Sequence, residues 1–451
     1  MQRFDAIFIG AGQAGPSLAA RMAERGMKVA LIERKFLGGT CVNAGCMPTK
    51  ALVASARAAY VSRGSAELGV KIAGAVSVDM QVVQRRAHRI TMDARDGLGT
   101  WLGTMDGVTM IFGHARFEAA DRVSVNGETL TAPQIFVNVG ARPVIPDLAG
   151  IHSIDYLTST SILKLDTLPR HLAVIGGSYI GLEFAQIYRR FGSQVTVIER
   201  GAQIASREDS DVSQAIQEIL EIEGIDVRTG AESIAFARNG DGARISLNSA
   251  AIDASHVLVA TGRAPNTDDL GLDLAGVAIN ARGYIVVDEK LATNVPGIWA
   301  LGDCNGHGAF THTSYNDFEI VAANLIDGED RKLSSRIPAY ALYIDPPLGR
   351  VGMTEREAAS SGRNIHVSKR AMARVGRAKE RDETLGFMKV IADADTGQIL
   401  GAAILGIEGD EAIHGIINAM SAGTRYTDLQ WSVPIHPTVS ELIPTLLRGL
   451  G

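Results

Sequence analysis

One pattern occurs twice in this sequence, and the repetition limits the possible fold more than any single segment does. Phe4–Glu33 and Leu172–Glu199 each begin with an apolar segment predicted to be a strand. Each then continues through a glycine-rich turn and a predicted helix to a second strand that ends on an acidic residue. In both copies this acidic residue stands 23 positions after the first glycine of the turn, Gly10 or Gly176. Two βαβ units of the same length and layout predict two dinucleotide-binding domains.

The glycines of each turn have separate physical tasks. The first allows the tight turn, the second lets the backbone approach a pyrophosphate, and the third lets helix and strand pack closely. These positions are Gly10, Gly12 and Gly15 in the first copy, and Gly176 and Gly181 in the second. Ser178 takes the middle position of the second copy, which is tolerable only if its side chain points away from the cofactor. Glu33 and Glu199 can each accept hydrogen bonds from a ribose diol.

The composition excludes several classes of protein. A chain of 451 residues with 46% apolar and 21% charged residues is typical of two or three globular domains. A net charge of -6 with scattered basic residues argues against a nucleic-acid partner. No apolar run approaches the ~18–20 residues of a membrane span, and the N-terminus lacks a signal-peptide layout. We therefore expect a cytoplasmic protein, where closely spaced cysteines indicate catalysis or metal binding.

Outside the two repeats, the pattern predicts helices, hairpins and a further domain. Leu52–Trp101 is predicted to be helical, and Val108–Gly140 to form short strands with Asn126-Gly127 as a hairpin turn. The chain beyond a boundary near Ser334–Pro338 mixes strands with helices and has no phosphate-binding turn, which predicts a third domain. The other predicted elements are the strands Ser255–Gly262, Gly297–Asp303, Phe387–Ala392 and Ile399–Leu405 and the helix Asp410–Ala422.

Two of the three cysteines, Cys41 and Cys46, stand close together in the segment GGTCVNAGCMPTK. A regular helix would hold residues at this spacing roughly 8–9 Å apart at Cα, whereas a disulfide needs less than about 7 Å. A bond between them therefore requires the backbone to depart from a helix, which Asn43 and Gly45 permit. Pro48 suits the first turn of a following helix, whose N-terminus favours a thiolate. The alternative is a pair of small buried thiols.

Four ordered segments resemble the class I pyridine nucleotide–disulfide oxidoreductases. They are GGTCVNAGCMPTK at Gly38–Lys50, ATGRAPN at Ala260–Asn266, WALGD at Trp299–Asp303 and HPTVSE at His436–Glu441. The resemblance covers essentially the whole chain. It implies an α/β fold with two Rossmann-like domains, for FAD and NAD(P), and a C-terminal α+β dimerisation domain. We expect the FAD domain at 1–148 and 269–335, the NAD(P) domain at 149–268 and the interface domain at 336–451.

The resemblance also assigns cofactor contacts to individual residues. Those for FAD are Gly10, Gly12, Gly15 and Glu33, with Asp303 on the ribityl chain. Those for NAD(P)H are Gly176, Gly181 and Glu199. It further implies cofactor contacts for Gly39, Thr40, Lys50, Thr261, Gly262, Arg263 and Gly302. Glu199 favours NADH, because an acidic side chain would repel a 2′-phosphate, although Arg200 and Arg207 lie nearby in sequence.

The same resemblance assigns the catalytic roles. It implies a redox-active disulfide between Cys41 and Cys46, in which Cys46 is the flavin-proximal thiolate that forms a charge-transfer pair with FAD, and Cys41 is the thiol that attacks substrate. His436, oriented by Glu441, would exchange protons with Cys41 of the partner subunit, which makes the active unit a homodimer. Lys50 would approach the flavin and pair with Glu183. Histidine suits this task because its unperturbed pKa lies near neutral pH.

The substrate remains open between three hypotheses. The stretch Asp345–Met353 is most similar to mercuric reductase-like FAD oxidoreductases, which favours a small disulfide or a soft metal ion as substrate. The chain ends without the terminal cysteine pair of mercuric reductases and carries His436 with Glu441, which keeps a dihydrolipoamide dehydrogenase possible. A redox-sensing or binding flavoprotein with slow turnover is the third hypothesis. We expect no resident metal: Cys304, His307 and His312 could suggest a metal site, but packing beside the flavin is the preferred interpretation of Cys304.

Overall fold

The computed structural model describes residues 1–248 and 250–450. The chain divides into two compact units, each made of three chain segments. The first unit contains Met1–Ala51, Gln81–Val144 and Gly262–Arg336; the second contains Leu52–Met80, Ile145–Thr261 and the chain from Ile337 onward.

A five-stranded parallel sheet forms the centre of the first unit. Its strands, in spatial order, are Ile298–Ala300, Gln134–Val137, Ala6–Ile9, Val29–Glu33 and Val108–Phe112. The helix Gly15–Ala23 connects the third and fourth of these strands, so the first predicted βαβ unit is confirmed. The strands are almost wholly apolar because the sheet is buried on both faces, as parallel sheets are.

Two smaller sheets complete the first unit. One is four-stranded, in the order Gln2–Arg3, Glu128–Thr131, Arg122–Val125 and Arg116–Ala119; the other pairs Ala141–Pro143 with Arg263–Pro265. The predicted hairpin turn is confirmed, since Asn126 and Gly127 have φ of 53° and 80° between antiparallel strands. The first unit also contains the helices Gly39–Ala44 and Thr311–Leu325, nearly all of Met80–Gly103 and the start of Cys46–Gly64.

The helical region predicted at Leu52–Trp101 is interrupted. Helix Cys46–Gly64 continues through a short 3-10 turn, Ser65–Leu68, and the next helix, Met80–Gly103, begins only after an irregular connection. Gly69 and Gly74 in this connection have φ of 80° and 84°, which a continuing right-handed helix does not allow. These two glycines therefore interrupt a region that the sequence pattern predicted to be continuously helical.

The second unit contains the second dinucleotide-binding pattern. Its five parallel strands, in order, are Tyr156–Thr158, His256–Val259, His171–Ile175, Gln194–Ile198 and Asp226–Arg228. The helices are Tyr179–Phe191 and Ser210–Ile222, and an antiparallel sheet of Ala235–Asn239, Gly242–Leu247 and Ala250–Ala254 packs against the core. The second predicted βαβ unit is therefore confirmed as well.

The C-terminal part of the second unit is an antiparallel sheet with helices packed against it. The strand order is Ala339–Leu342, Leu348–Gly352, Ile399–Leu405, Phe387–Asp393 and Ile365–Ala371. The helices are Glu355–Ser360, Gly376–Glu380, Gly409–Ala412, His414–Ser421, Tyr426–Leu429 and Ile443–Leu447. The helix predicted at Asp410–Ala422 divides at Ile413, because the Ile416 N–H bonds to the carbonyl three residues back. No helix in residues 1–248 and 250–450 is long and apolar enough to cross a membrane.

Candidate redox and dinucleotide-binding sites

The first glycine turn is closed against the neighbouring strand end so tightly that side chains do not fit. Gly10 has φ of 100°, and a Cβ there would collide with the carbonyl oxygen of Asn138. A Cβ on Gly12 would lie 2.7 Å from Asn138 Oδ1, and one on Gly15 would lie 2.7 Å from the Gly10 carbonyl oxygen. The turn is thus a bare-backbone cradle at a helix N-terminus, the arrangement that binds a pyrophosphate.

Glu33 is fixed beside this turn by backbone donors. Its Oε2 accepts a hydrogen bond from the Ala11 N–H at 3.0 Å, and its Oε1 accepts one from the Lys35 N–H at 2.8 Å. A carboxylate held in this way has lone pairs left for a ribose diol. The sequence placed Glu33 at this position, and the structure brings it to the turn.

The second turn repeats this geometry. Gly176 has φ of 110°, and a Cβ there would lie 2.6 Å from the carbonyl oxygen of Ala260. Glu199 accepts hydrogen bonds from the Gly177 N–H at 2.7 Å and the Gly201 N–H at 2.6 Å. A Cβ on Gly181 would collide with the carbonyl oxygen of Gly176. Both turns therefore combine close backbone approaches at their glycines with an anchored carboxylate.

Asn138 is a site residue that the sequence reasoning missed. It is only 5% exposed; its Oδ1 accepts from the Gly15 N–H at 3.1 Å, and its Nδ2 donates to the Leu301 carbonyl at 2.8 Å. It therefore joins the first turn to the segment before Asp303. The available signal was its position at the carboxyl end of a buried strand, where ligands of parallel sheets bind.

Asp303 lies close to two other predicted cofactor residues. The Arg263 Nε is 3.7 Å from Asp303 Oδ2, and Arg263 also contacts Thr40 Oγ1 at 3.5 Å and donates to the Ala141 carbonyl. The pKa of Asp303 is raised above its usual value, because burial outweighs the opposing charge of Arg263. Gly302 next to it has φ of 75° and donates its N–H to the buried Asp317 at 2.7 Å.

The two cysteines occupy adjacent helices that meet at Gly45. Cys41 lies in Gly39–Ala44 and Cys46 begins Cys46–Gly64, while Gly45 between them has φ of -139° and ψ of -121°. The backbone between the cysteines thus departs from a regular helix, as a bond between them would require. Both residues are thiols, without a bond between their sulfurs. The hydrogen bond with Cys46, together with burial, raises the pKa of Cys41 well above its usual range.

Thr311 also contacts this pair, and the sequence reasoning did not single it out. Its Oγ1 lies 3.4 Å from Cys46 Sγ, and its hydrogen bonding lowers the pKa of Cys41. Thr311 is the first residue of the helix Thr311–Leu325. The positive end of that helix dipole favours a thiolate on the neighbouring sulfur.

Four further predicted residues are divided between the two compact units. Lys50 belongs to the first unit, one turn after Cys46, whereas Glu183 belongs to the second, is 6% exposed, and accepts from the Tyr343 N–H at 3.0 Å. Their pairing stays a prediction. Thr261 closes its segment of the second unit, and Gly262, with φ of 151°, opens the next segment of the first.

His436 and Glu441 are brought together as the sequence predicted. The His436 Nδ1 lies 2.8 Å from Glu441 Oε2; the histidine side chain is 79% exposed and the glutamate 13%. The Pro437 carbonyl next to the histidine accepts a hydrogen bond from Arg377 Nη2 at 2.6 Å. The imidazole is therefore oriented by the carboxylate while its other edge remains open.

Cys304 is a buried core thiol. It is 0% exposed and donates to the Leu301 carbonyl at 3.3 Å, and burial raises its pKa to about 12. His312 stacks on Phe310 with ring centroids 5.4 Å apart. Within the described residues, no group of three or more histidine, cysteine, aspartate or glutamate side chains is placed to hold a metal ion.

Two family models cover almost the whole chain. Residues 4–317 match the model described as pyridine nucleotide-disulphide oxidoreductase, and residues 338–447 match the dimerisation domain of the same family. The chain belongs to the pyridine nucleotide–disulfide oxidoreductase family. The predicted family and fold class are thereby confirmed. Membership implies FAD and NAD(P)H as cofactors, and the dimerisation domain suggests a homodimer.

The chain is similar to curated proteins that are named for different activities. The probable pyridine nucleotide-disulfide oxidoreductase RclA of Escherichia coli is 34% identical over 99% of both chains. A mercuric reductase of Bacillus cereus is 32% identical, covering 97% of this chain and 70% of the relative. A dihydrolipoyl dehydrogenase of Thermus scotoductus is 33% identical, covering 98% of this chain and 96% of the relative. Identity alone does not separate these three activities.

The similar solved structures include the Escherichia coli flavoprotein disulfide reductase RclA. Its Cu(II) complex superposes with a TM-score of 0.91 at 34% identity, covering 99% of each chain. Another RclA structure superposes with a TM-score of 0.90 at 34% identity, covering 98% of this chain and 99% of that chain. RclA is described there as HOCl-induced.

Proposed function

We propose that this protein is a flavin-dependent reductase that passes electrons from NAD(P)H through a Cys41–Cys46 disulfide to a small disulfide or a soft metal ion. The observation that carries the proposal is the placement of the two cysteines on adjacent helices, with Cys41 hydrogen-bonded to Cys46. FAD, when bound, supplies the hydride acceptor and passes the electron pair to the sulfurs.

The two glycine turns are the proposed cofactor cradles. In the first, Gly10, Gly12 and Gly15 leave backbone N–H groups for the FAD pyrophosphate, Glu33 takes the ribose, and Asp303 takes the ribityl chain. The close approaches support this fit, because a Cβ on Gly10 or Gly12 would collide with Asn138 and one on Gly15 would collide with the Gly10 carbonyl. The proposed FAD domain comprises 1–148 and 269–335, the NAD(P) domain 149–268, and the interface domain 336–451.

The second cradle favours NADH over NADPH. Both oxygens of Glu199 are held by the Gly177 and Gly201 N–H groups, so the carboxylate stays at the ribose position and would repel a 2′-phosphate. The two hydrogen bonds that fix Glu199 do not involve Arg200 or Arg207, so they do not hold either arginine at the ribose position. A comparison of kcat/KM for the two cofactors tests this preference.

The proposed chemistry on a disulfide substrate is thiol exchange. Two electrons and two protons reduce the Cys41–Cys46 bond to two thiols. The Cys41 thiolate then attacks one substrate sulfur, and the first substrate thiol leaves. Cys46 attacks the mixed disulfide, which restores the Cys41–Cys46 bond and releases the second thiol. His436 of the partner subunit takes the Cys41 proton and returns it to the leaving thiolate.

The contact between His436 and Glu441 supports this proton transfer. A bond from Nδ1–H to the carboxylate fixes the imidazole tautomer, which leaves Nε2 as the proton acceptor. This pair is equally suited to a dihydrolipoamide dehydrogenase, which is the second candidate function. Rapid NAD-dependent oxidation of dihydrolipoamide would favour that candidate.

Soft metal ions are the alternative substrate class. Two adjacent cysteine thiolates are ligands for Hg²⁺ or copper, and the reduction consumes two electrons per Hg²⁺ or one per Cu²⁺. Relatives of this chain include mercuric reductases, and the RclA structure is a Cu(II) complex. The names of these relatives do not determine the substrate of this protein, so disulfides and soft metal ions should be tested in the same assay.

A homodimer is proposed because the segment before His436 is apolar and exposed. Trp431, Val433 and Ile435 are 72%, 96% and 80% exposed. A run of this kind indicates a protein–protein contact, and the match to the family's dimerisation domain supports a second copy of the chain as the partner. We place this dimer in the cytoplasm, where a closely spaced cysteine pair is typically catalytic.

The test is turnover of a substrate panel by the purified holoenzyme and three variants. NADH oxidation is followed with lipoamide, glutathione disulfide, Hg²⁺ and Cu²⁺. We expect Cys41→Ser and Cys46→Ser to lose at least about 100-fold of the activity, because no redox pair remains. Cys304→Ser is the matched control and should keep it. Equal turnover by all variants would contradict the proposal.

A further inference from the structure

In the loop Leu37–Thr40, which precedes Cys41, three successive backbone carbonyls each accept a hydrogen bond from a side chain. Asn43 Nδ2 donates to the carbonyls of Leu37 and Gly39, both at 2.8 Å. Gln13 Nε2 donates to the Gly38 carbonyl between them, also at 2.8 Å. Two amide side chains, one from the first glycine turn and one from between the cysteines, thus hold the whole loop.

Because each of these carbonyls points toward an amide side chain, the direction of the N–H group in the same peptide plane is also fixed. In a trans peptide the N–H points away from its C=O, so the N–H groups of Gly39 and Thr40 point away from the bound carbonyls. A pyrophosphate is attracted by backbone N–H groups and repelled by carbonyl oxygens. The loop also lies directly against the first cradle, since a Cβ on Gly39 would lie 3.0 Å from Gly12 Cα.

Arg95 fixes the amide of Asn43 from the other side. Its Nε donates to Asn43 Oδ1 at 2.9 Å, and its guanidinium lies 4.0 Å from the ring centroid of Phe36. With the oxygen occupied by Arg95, the NH₂ group of Asn43 must face Leu37 and Gly39. Arg95 comes from the helix Met80–Gly103, so the orientation of the amide is set from outside the loop.

We propose that Asn43, oriented by Arg95, is a positioning residue that holds the loop Leu37–Thr40 for the FAD pyrophosphate and fixes Cys41 with the same contacts. The coupling follows from chain geometry, because Asn43 lies in the short helix Gly39–Ala44 that also contains Cys41. The inference rests on the proposed function and adds residues to it.

The experiment uses Arg95→Met and Asn43→Asp in the full-length holoenzyme, with Arg89→Met on the same helix as control. An aspartate at position 43 still accepts from Arg95 but cannot donate to the carbonyls. We expect both test variants to bind FAD about tenfold more weakly, because Arg95→Met loses a charge-assisted hydrogen bond and Asn43→Asp loses both donors to the carbonyls. The second readout is the pH midpoint for alkylation of Cys41 in the reduced enzyme, which should shift in both variants and not in the control.

Arg95→Lys separates positioning from charge. Lysine keeps the positive charge but lacks the planar donor that stacks on Phe36, so it should behave as Arg95→Met does. Full rescue by lysine, or unchanged FAD affinity and alkylation in Asn43→Asp, would overturn the proposal. Circular dichroism confirms that each variant is folded. If NADH does not reduce the cysteines of the wild-type enzyme, the proposed function fails, whereas the FAD-affinity contrast still decides the role of Asn43.

Discussion

At the scale of single residues, the reactivity of Cys41 is controlled by its neighbours. The hydrogen bond with Cys46 is the largest cause of its raised pKa, burial is the next, and Thr311 acts in the opposite direction. A thiol with a raised pKa stays protonated at neutral pH, so exchange with a substrate requires a proton acceptor. The exposed imidazole of His436 is the acceptor in this account.

The first prediction concerns the direction of this shift. Removing the Cys46 sulfur removes the largest cause of the raised pKa, so Cys46→Ala should lower the pKa of Cys41. The alkylation rate of Cys41, measured by mass spectrometry against pH, should reach its midpoint at lower pH than in the reduced wild-type enzyme. An unchanged or higher midpoint would show that Cys46 does not control Cys41.

At the scale of secondary-structure elements, the strand–turn–helix units were predictable because their signals are local. Glycine spacing and a terminal glutamate lie within one continuous segment, and the structure places Glu33 and Glu199 at their turns. Asn138 was not predictable in this way, because it contacts Gly15 across 123 positions of sequence. Thr311 was missed for the same reason. Contacts made by neighbouring strands and helices require the fold.

The second prediction tests the contribution of Asn138. Asn138→Ala leaves the Gly15 N–H and the Leu301 carbonyl without their buried partner. Each unsatisfied group costs about 1–3 kcal/mol, so the free energy of unfolding should fall by that order. Denaturant unfolding of the holoenzyme measures it. A loss below about 0.5 kcal/mol would mean that the first turn is held by other contacts.

The third prediction concerns the loop that carries His436. Arg377→Met removes the donor to the Pro437 carbonyl, so the imidazole should lose its fixed position. We expect kcat with a disulfide substrate to fall about tenfold, while NADH reduces the enzyme at the wild-type rate, since that half-reaction does not use His436. Stopped-flow and steady-state rates separate the two steps. A slowed reductive half-reaction would contradict this role.

At the scale of the whole molecule, the proposed proton transfer from Cys41 to His436 of the partner subunit requires two copies of the chain. In the proposal each site combines residues of both subunits, and the family's dimerisation domain and the exposed apolar segment before His436 agree with a dimer. The sequence motifs predicted both the order of the parts and the dimer. They could not identify the substrate, because the motif residues proposed to bind cofactors and exchange electrons are compatible with all three named relatives.

The fourth prediction tests this shared site. Cys41→Ser and His436→Gln should each abolish disulfide reduction. Co-expressed, the two variants form hybrid dimers in which one site has both residues defective and the other has both intact. The mixture should recover about a quarter of wild-type activity for a symmetric dimer. No recovery would mean that His436 serves the Cys41 of its own chain.

The central claim is that electrons pass through Cys41 and Cys46. Anaerobic titration of the purified enzyme with NADH, followed in the visible spectrum, tests it most directly. We expect a long-wavelength thiolate–flavin charge-transfer band that reaches its maximum at two electrons per FAD and is absent in Cys46→Ser. If the flavin absorption simply bleaches with no such band in the wild-type enzyme, the cysteines do not accept electrons and the proposed mechanism is wrong.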